Sequence, residues 1–216
     1  EKTHLAQFAQ REHTKHILPM VDEILAQAGI TLHQVDALVF GRGPGSFTGV
    51  RIGAGIAQGL AFGAELLVIP VSNLAAMAQA AYAQYQAENV LTAIDARMNE
   101  VYFAQWQAQK VRSDFGEFLD WQPMIAEQVC SPSKVIEQVA QQHHENAVLA
   151  GTGWAAYPEL KEANLGKVTE ITLPSALYML DLALPKWFAG ETISPLEIEP
   201  IYLRNEVTWK KLPGRE

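Results

Sequence analysis

The sequence predicts an α/β fold made twice over, a duplicated two-lobed arrangement in which each lobe is a mixed sheet with flanking helices. Three observations carry this expectation. Short apolar runs at 36–40, 66–71, 90–95 and 146–150 alternate with helical patterns, the order of a largely parallel sheet covered by helices. An apolar run that ends in a glycine turn occurs twice, at 36–45 and again at 146–153. The 216 residues, 49% hydrophobic and 19% charged, suit one large or two small globular units with a proper core.

The elements follow in order. The chain starts without Met and alternates Leu5 and Phe8 with polar neighbours, so we expect it to enter partway through an element. Ile17, Leu18, Met20, Val21, Ile24, Leu25 and Ala28 recur at three and four, and Gly29 closes that amphipathic helix. A buried strand at 36–40 runs into a glycine-rich turn, and 48–64 is helical in content despite its glycines. The strand at 66–71 leads to an Ala-rich helix at 73–86, capped by Ser72 or Asn73. Residues 1–87 are therefore expected to form the first lobe and 88–192 the second. In the second lobe, the strand at 90–95 turns at 96–99 and returns over 100–107. A polar, mixed segment is expected to about residue 128. Ser131-Pro132-Ser133 then opens a helix through His143, because proline at the first helical position is pre-set for it. A last helix covers 175–190, where Pro185 is expected to kink or interrupt it. Residues 193–216 are too short for a domain and are expected to lie back on the first lobe.

Composition excludes several classes of function. The formal net charge of -8 and a pI near 5.3 argue against a broad grip on nucleic acid, which needs clustered Lys and Arg. Cys130 is the single cysteine, so the chain can form no internal disulfide and no cysteine-based zinc site. No apolar run approaches the ~20 residues of a membrane helix, and no export pattern opens the chain. A cytoplasmic protein without membrane contact is expected. His13 and His16 share a helix face, but no third metal ligand lies near them in sequence, so no metal is assigned. His143-His144 suits an exposed helix end.

Eight glycines fall between positions 41 and 63. The segment Gly41-Arg42-Gly43-Pro44-Gly45-Ser46-Phe47-Thr48-Gly49 stands where a strand turns into a helix, a place where free N–H groups favour an anion. Gly43, Gly45, Ser46 and Thr48 are candidates for phosphate or nucleotide binding, with Asp95 at a strand end as a further carboxylate. A tight turn requiring positive φ explains the same glycines equally well, and a turn-capping role explains Asp95. The string matches neither the P-loop nor the dinucleotide fingerprint, and Ser46 has no nucleophile elbow around it. Inside the following helix, Gly53, Gly55 and Gly59 together cost about 3 kcal/mol relative to alanine. Close approach of another helix or chain would offset that cost. Lys210, Lys211 and Arg215 beside Trp209 would suit RNA, although a short basic tail is ordinarily just solvated.

The glycine string, preceded by Arg11-Glu12-His13-Thr14-Lys15-His16-Ile17-Leu18-Pro19 and followed by Ile94-Asp95-Ala96-Arg97-Met98 and Pro200-Ile201-Tyr202-Leu203-Arg204, resembles the TsaB (YeaZ) family over the whole chain. That resemblance implies the actin-like and sugar-kinase-like fold. It also implies a partner subunit of TsaD in making threonylcarbamoyladenosine beside the tRNA anticodon, together with the ATPase TsaE and with no catalytic residue of its own. The interface it implies lies on the first two helices, at His13, His16, Ile17, Met20, Ile24, Arg51, Ile52, Gly55, Ile56 and Gly59. The same surface would form a homodimer when TsaD is absent. Any ATP or ADP would sit at the subunit boundary, and tRNA would be met only through the complex. Family members begin with a strand carrying Ile-Asp-Thr that this chain lacks, and only His13 and His16 lie near the position of TsaD's metal histidines. A phosphate- or nucleotide-binding enzyme of the actin and kinase type stays open as the alternative, and a glycoprotease reading has little support.

Overall fold

The computed structural model describes residues 2–8, 12–114, 116–142 and 146–204. The first half holds α1 (His13–Ala28), β1 (Ala37–Gly41), α2 (Phe47–Gly63), β2 (Leu67–Val71) and α3 (Asn73–Tyr85). The second half holds β3 (Asn89–Arg97), β4 (Glu100–Ser113), β5 (Gly116–Cys130), α4 (Pro132–Ala140) and β6 (Val148–Ala150). It continues with α5 (Gly153–Ala156), α6 (Pro158–Glu162), β7 (Lys167–Val168) and α7 (Ala176–Phe188). β1 and β2 pair in parallel as one sheet, and the other has the order β5-β4-β3-β6-β7. In that second sheet β4 is antiparallel to both of its neighbours, whereas β3, β6 and β7 run parallel.

α3 is the element both halves share. Every residue of α3 from 74 to 81 is buried, which an Ala-rich sequence permits because small side chains let neighbours approach on all sides. Leu74, Met77 and Ala78 pack with Val90, Ile94 and Trp106 of the larger sheet. Ala76 packs instead with Ile69 and Val71 of β2 and with Met179 and Ala183 of α7. α2 covers the other face of the small sheet through Ala54, Ala57 and Ala61, spaced at helical intervals against Phe40 and Val68. α4, α5 and α6 cover the far face of the large sheet. There Leu91 and Ala93, one residue out of step with Val90 and Ile94, meet Val135, Trp154 and Leu160.

Local chemistry accounts for the element ends. Gly29 closes α1 in the left-handed region, at φ 67. Ser46, Ser72 and Ser131 each cap the helix that follows by accepting an N–H of its first turn. Pro185 is accommodated within α7, which continues to Phe188, so the expected interruption does not occur.

Two expectations need correction. The segment read as polar and mixed is the outer arm of a long antiparallel hairpin: β4 runs on to Ser113 and β5 pairs with it from Gly116 to Cys130. Its polar character reflects an exposed tip, where residues 109–114 face solvent on both sides of the strand. α4 ends at Ala140, short of His143, and His143-His144 lies outside the described residues. Residues 2–8 adopt neither helix nor strand. After α7 the chain returns to the small sheet, where Ile193 bridges Val68 in antiparallel fashion and Ile198 joins the core under α2. The tail from Trp209 to Arg215 lies outside the described residues.

The repeated strand-to-glycine turn has a steric reason in its second copy. Gly151 has φ +116, and a Cβ there would strike the carbonyl oxygen of Ala93. Gly151→Ala is therefore expected to lower stability by more than about 2 kcal/mol, read from the urea midpoint at unchanged m-value.

Candidate functional site

The turn between β1 and α2 is built onto the start of α3. Asn73 donates its backbone N–H to the Gly43 carbonyl at 2.9 Å and its side-chain amide to the Pro44 carbonyl at 3.1 Å. Arg42 donates its backbone N–H to Val71 at 2.9 Å. The glycines make this approach feasible. A Cβ on Gly41 would strike the Asn73 side chain, and Gly43 holds φ +102. Ser46 turns its hydroxyl inward to accept from Gly49 N–H at 3.1 Å, so the helix end supplies its own cap. The Arg42 guanidinium reaches across to β5 and meets Glu127 at 2.8 Å, while Ser72 donates to the other carboxylate oxygen. Both partners are largely shielded from solvent.

Asp95 has a different task. Its Oδ1 accepts from the Arg97 N–H at 2.9 Å and lies 2.9 Å from the Tyr157 hydroxyl, which is also 3.1 Å from the Glu100 carbonyl. Arg97 adds an ion pair at 3.2 Å. The carboxylate thus fixes a β3–β4 turn in which Arg97, Met98 and Asn99 all have positive φ. Gly45 lines a small cleft of about 120 Å³ with Phe47, Val50, Tyr102 and residues 201–204, and Asp95 is not among its walls. Gly43, Gly45, Ser46 and Thr48 share the one turn and helix start, whereas Asp95 belongs to the β3–β4 turn.

The segment 200–204 straps the two halves. Ile201 donates to the Arg42 carbonyl at 2.9 Å, and the Tyr202 hydroxyl accepts from Arg51 Nε at 2.8 Å. Arg51 also lies over the Phe47 ring, 3.5 Å from its centroid. Arg204 holds the Glu100 carboxylate and the Ala96 carbonyl.

α1 lies at the surface with its apolar stripe half-buried, and the outer face of α2, at Arg51, Gly55 and Gly59, is exposed. No described side chain of α1 is buried, and none belongs to a core cluster, although Ile17, Met20 and Ile24 form an apolar stripe. On α2, a Cβ added at Gly53, Gly55, Gly59 or Gly63 would meet nothing within 4 Å. Internal packing is therefore not the reason for those glycines. Ile52 and Ile56 are half-buried and Arg51 is exposed. His16 is 3.9 Å from Glu12, and the side chain of His13 lies outside the described residues. Among the described residues no three His, Cys, Asp or Glu side chains gather as a metal site would require. No helix among them is long and apolar enough to cross a membrane.

Comparison with known proteins bears on this arrangement. The family model for TsaD, tRNA N6-adenosine threonylcarbamoyltransferase, matches residues 6–187. A tRNA N6-adenosine threonylcarbamoyltransferase of Polynucleobacter asymbioticus is 40% identical, but only over 68 residues, 32% of this chain and 19% of its own. The Haemophilus influenzae tRNA threonylcarbamoyladenosine biosynthesis protein TsaB is 67% identical over 216 residues, all of this chain and 90% of the relative. The chain belongs to the TsaB family. YeaZ from Pseudomonas aeruginosa superposes with a TM-score of 0.76 at 37% identity, covering 91% of this chain and 87% of that one. The actin-like, two-lobed α/β fold read from the sequence is thus the fold of this TsaB chain.

Sequence reasoning did not reach Glu127, which lies in the segment read as irregular, nor the bonds of Tyr202 and Arg204 to α2 and β4. A lone arginine between glycines at position 42 was the one available sign that the turn needed a carboxylate partner.

Two outcomes follow. Glu127→Gln leaves the Arg42 guanidinium without its counter-charge and is expected to cost roughly 1–3 kcal/mol in urea unfolding. Burial pushes the Cys130 thiol from 9.0 up to about 11, and burial followed by the bond to Asp95 raises the Tyr157 hydroxyl above 10.0. Both groups are neutral at pH 7, and raised folded values mean that their contribution is complete below the unfolded values. Stability should fall as pH climbs from about 9 through 11, and Cys130→Ala should flatten the lower part of that fall in a pH series of thermal melts.

Proposed function

We propose that this chain is a partner subunit of a TsaD-type transferase, required for threonylcarbamoyl transfer to tRNA and carrying no chemistry of its own. The observation that supports this most directly is the surface of α1 and α2, a half-buried apolar stripe beside an exposed glycine face. An amphipathic helix normally buries its apolar stripe fully, yet here Ile17, Met20 and Ile24 are only half-buried and join no core cluster. Beside it, Gly55 and Gly59 present a helix face smooth enough for another helix to approach at backbone distance. The glycines lower helix stability in the isolated chain, so only association can return what they cost.

The family relation supports TsaD as the partner: the chain matches the transferase's own family model, and two related folds can pair through equivalent faces. In this reading TsaE joins the complex, and a second copy of the chain occupies the face when TsaD is absent. The chain has no cofactor of its own, and ATP or ADP belongs to the boundary with the partner. It works in the cytoplasm and meets tRNA only through the complex. The competing reading, a nucleotide-binding enzyme, is weakened by Ser46 capping its own helix and by Asp95 serving its own turn.

The test uses two substitutions on one face. Gly55→Leu is expected to abolish co-elution with TsaD in light scattering while the isolated chain stays folded and melts no lower; a folded variant that still binds would sink the proposal. Gly59→Ala should likewise raise the stability of the isolated chain, by about 1 kcal/mol because its methyl meets open space, while weakening association. Reconstitution of threonylcarbamoyl transfer with and without the chain checks the requirement itself.

A further inference from the structure

Phe47, Arg51, Gly55 and Gly59 follow one another at intervals of four along α2, and all four are exposed. Arg51 is nevertheless held in place. Its guanidinium lies over the Phe47 ring, 3.5 Å from the centroid, and its Nε donates to the Tyr202 hydroxyl at 2.8 Å. Tyr202 comes from the returning segment, 151 positions away, so two distant parts of the chain fix one side chain. Phe47 is 60% exposed and Tyr202 48% exposed, so both rings still open onto solvent beside the guanidinium.

The charge of Arg51 is what this arrangement leaves open. The other described arginines, Arg42, Arg97, Arg112 and Arg204, each pair with a carboxylate. Among the described residues Arg51 pairs with none. In a chain of 24 acidic and 16 basic residues carboxylates are in excess, so this is not a matter of supply. A merely solvated arginine gains nothing from being ordered. A receptor does, because a guanidinium fixed beforehand loses less freedom when its acceptor arrives. Nε is the nitrogen in use, which leaves the N–H groups of Nη1 and Nη2 side by side for an acceptor. The Tyr202 hydroxyl accepts from Nε and keeps its own proton, for which the described residues offer no acceptor. Both groups donate, and the planar fork with a single positive charge matches a carboxylate.

We propose that Arg51, braced by Phe47 and Tyr202, receives an aspartate or glutamate carboxylate of TsaD at the end of the glycine face of α2. This rests on the reading of α1 and α2 as the TsaD surface. The glycines let a partner helix come close but carry no group that fixes its position along α2, and the charged corner supplies one. Arginine among aromatic rings is also the kind of group on which interface affinity depends most.

Isothermal titration of TsaD with the full chain tests the contact. Wild-type chain that fails to bind TsaD overturns the reading of the surface, and this proposal with it. Where it binds, Arg51→Gln is expected to weaken binding about tenfold and to flatten its dependence on salt between about 50 and about 500 mM. Tyr202→Phe keeps the ring and removes the hydroxyl, and should weaken binding about threefold. Among Asp→Asn and Glu→Gln variants of TsaD, one is expected to bind the wild-type chain about tenfold more weakly yet to bind Arg51→Gln no more weakly than unaltered TsaD does. Folded Arg51→Gln that binds as tightly as the wild-type chain overturns the carboxylate contact and leaves the reading of the surface intact. If Arg51→Gln does not fold, unchanged binding by Tyr202→Phe has the same force. A tenfold loss coupled to no carboxylate of TsaD also overturns the contact. Lost self-association with unchanged TsaD binding places the carboxylate on a second copy of the chain and overturns its assignment to TsaD.

Discussion

Burial of α3 on all sides is the constraint on which the rest of the molecule depends. A helix enclosed between two sheets and another helix must be narrow, and from Leu74 to Ala81 five of the eight residues are alanine. The one polar side chain in that stretch, Gln79, accepts from Trp121 and so brings the β4–β5 hairpin down onto the helix. An unsatisfied amide there would cost about 1–3 kcal/mol, which makes the pairing a condition of burial rather than an addition to it. The start of the helix imposes the next condition. Ser72 caps it and holds Glu127, and Asn73 holds Gly43 and Pro44, so the glycine turn takes its shape from α3.

This places the glycines of the turn and those of α2 under different demands. Gly41 and Gly43 are needed inside the chain, one for the space of Asn73 and one for its φ. Gly55 and Gly59 are needed by nothing inside it. α2 carries alanine on its buried face and glycine on its exposed one, so the helix is held down by a thin layer of methyl groups and gains nothing from its outer side. A helix with that distribution is stabilised more in an assembly than alone. α1 is likewise held only in part, its apolar stripe half-buried and outside the core clusters.

Much of this was legible in the sequence because it is local. The caps at Ser72 and Ser131, the stop at Gly29 and the alternation of strands with helices depend on neighbours within a few positions. What sequence reasoning missed depends on register between distant strands. β5 reads as irregular because its tip is polar and its pairing with β4 shifts between Phe103 and Trp106, so no regular alternation marks it. Glu127 was lost with it. Asp95 shows the other limit: its place at a strand end was legible, but its bond to the Tyr157 hydroxyl, 62 positions away, was not.

The cations bear on how an acidic protein takes part in work on RNA. Of 16 Lys and Arg residues, at least seven are engaged in ion pairs, among them Arg42 and Arg204, which join the first half and its returning tail to Glu127 and Glu100 of the second. Arg51 is taken up differently, by the Phe47 ring and the Tyr202 hydroxyl. Phosphate contacts need basic groups free to release counterions, and affinity scales with their number. In a chain of net charge -8 two arginines are committed to holding the halves together, and the remaining basic groups sit in an acidic field. Arg42–Glu127 and Arg204–Glu100 instead join the two halves, so the charge of these two arginines serves the fold and not a surface.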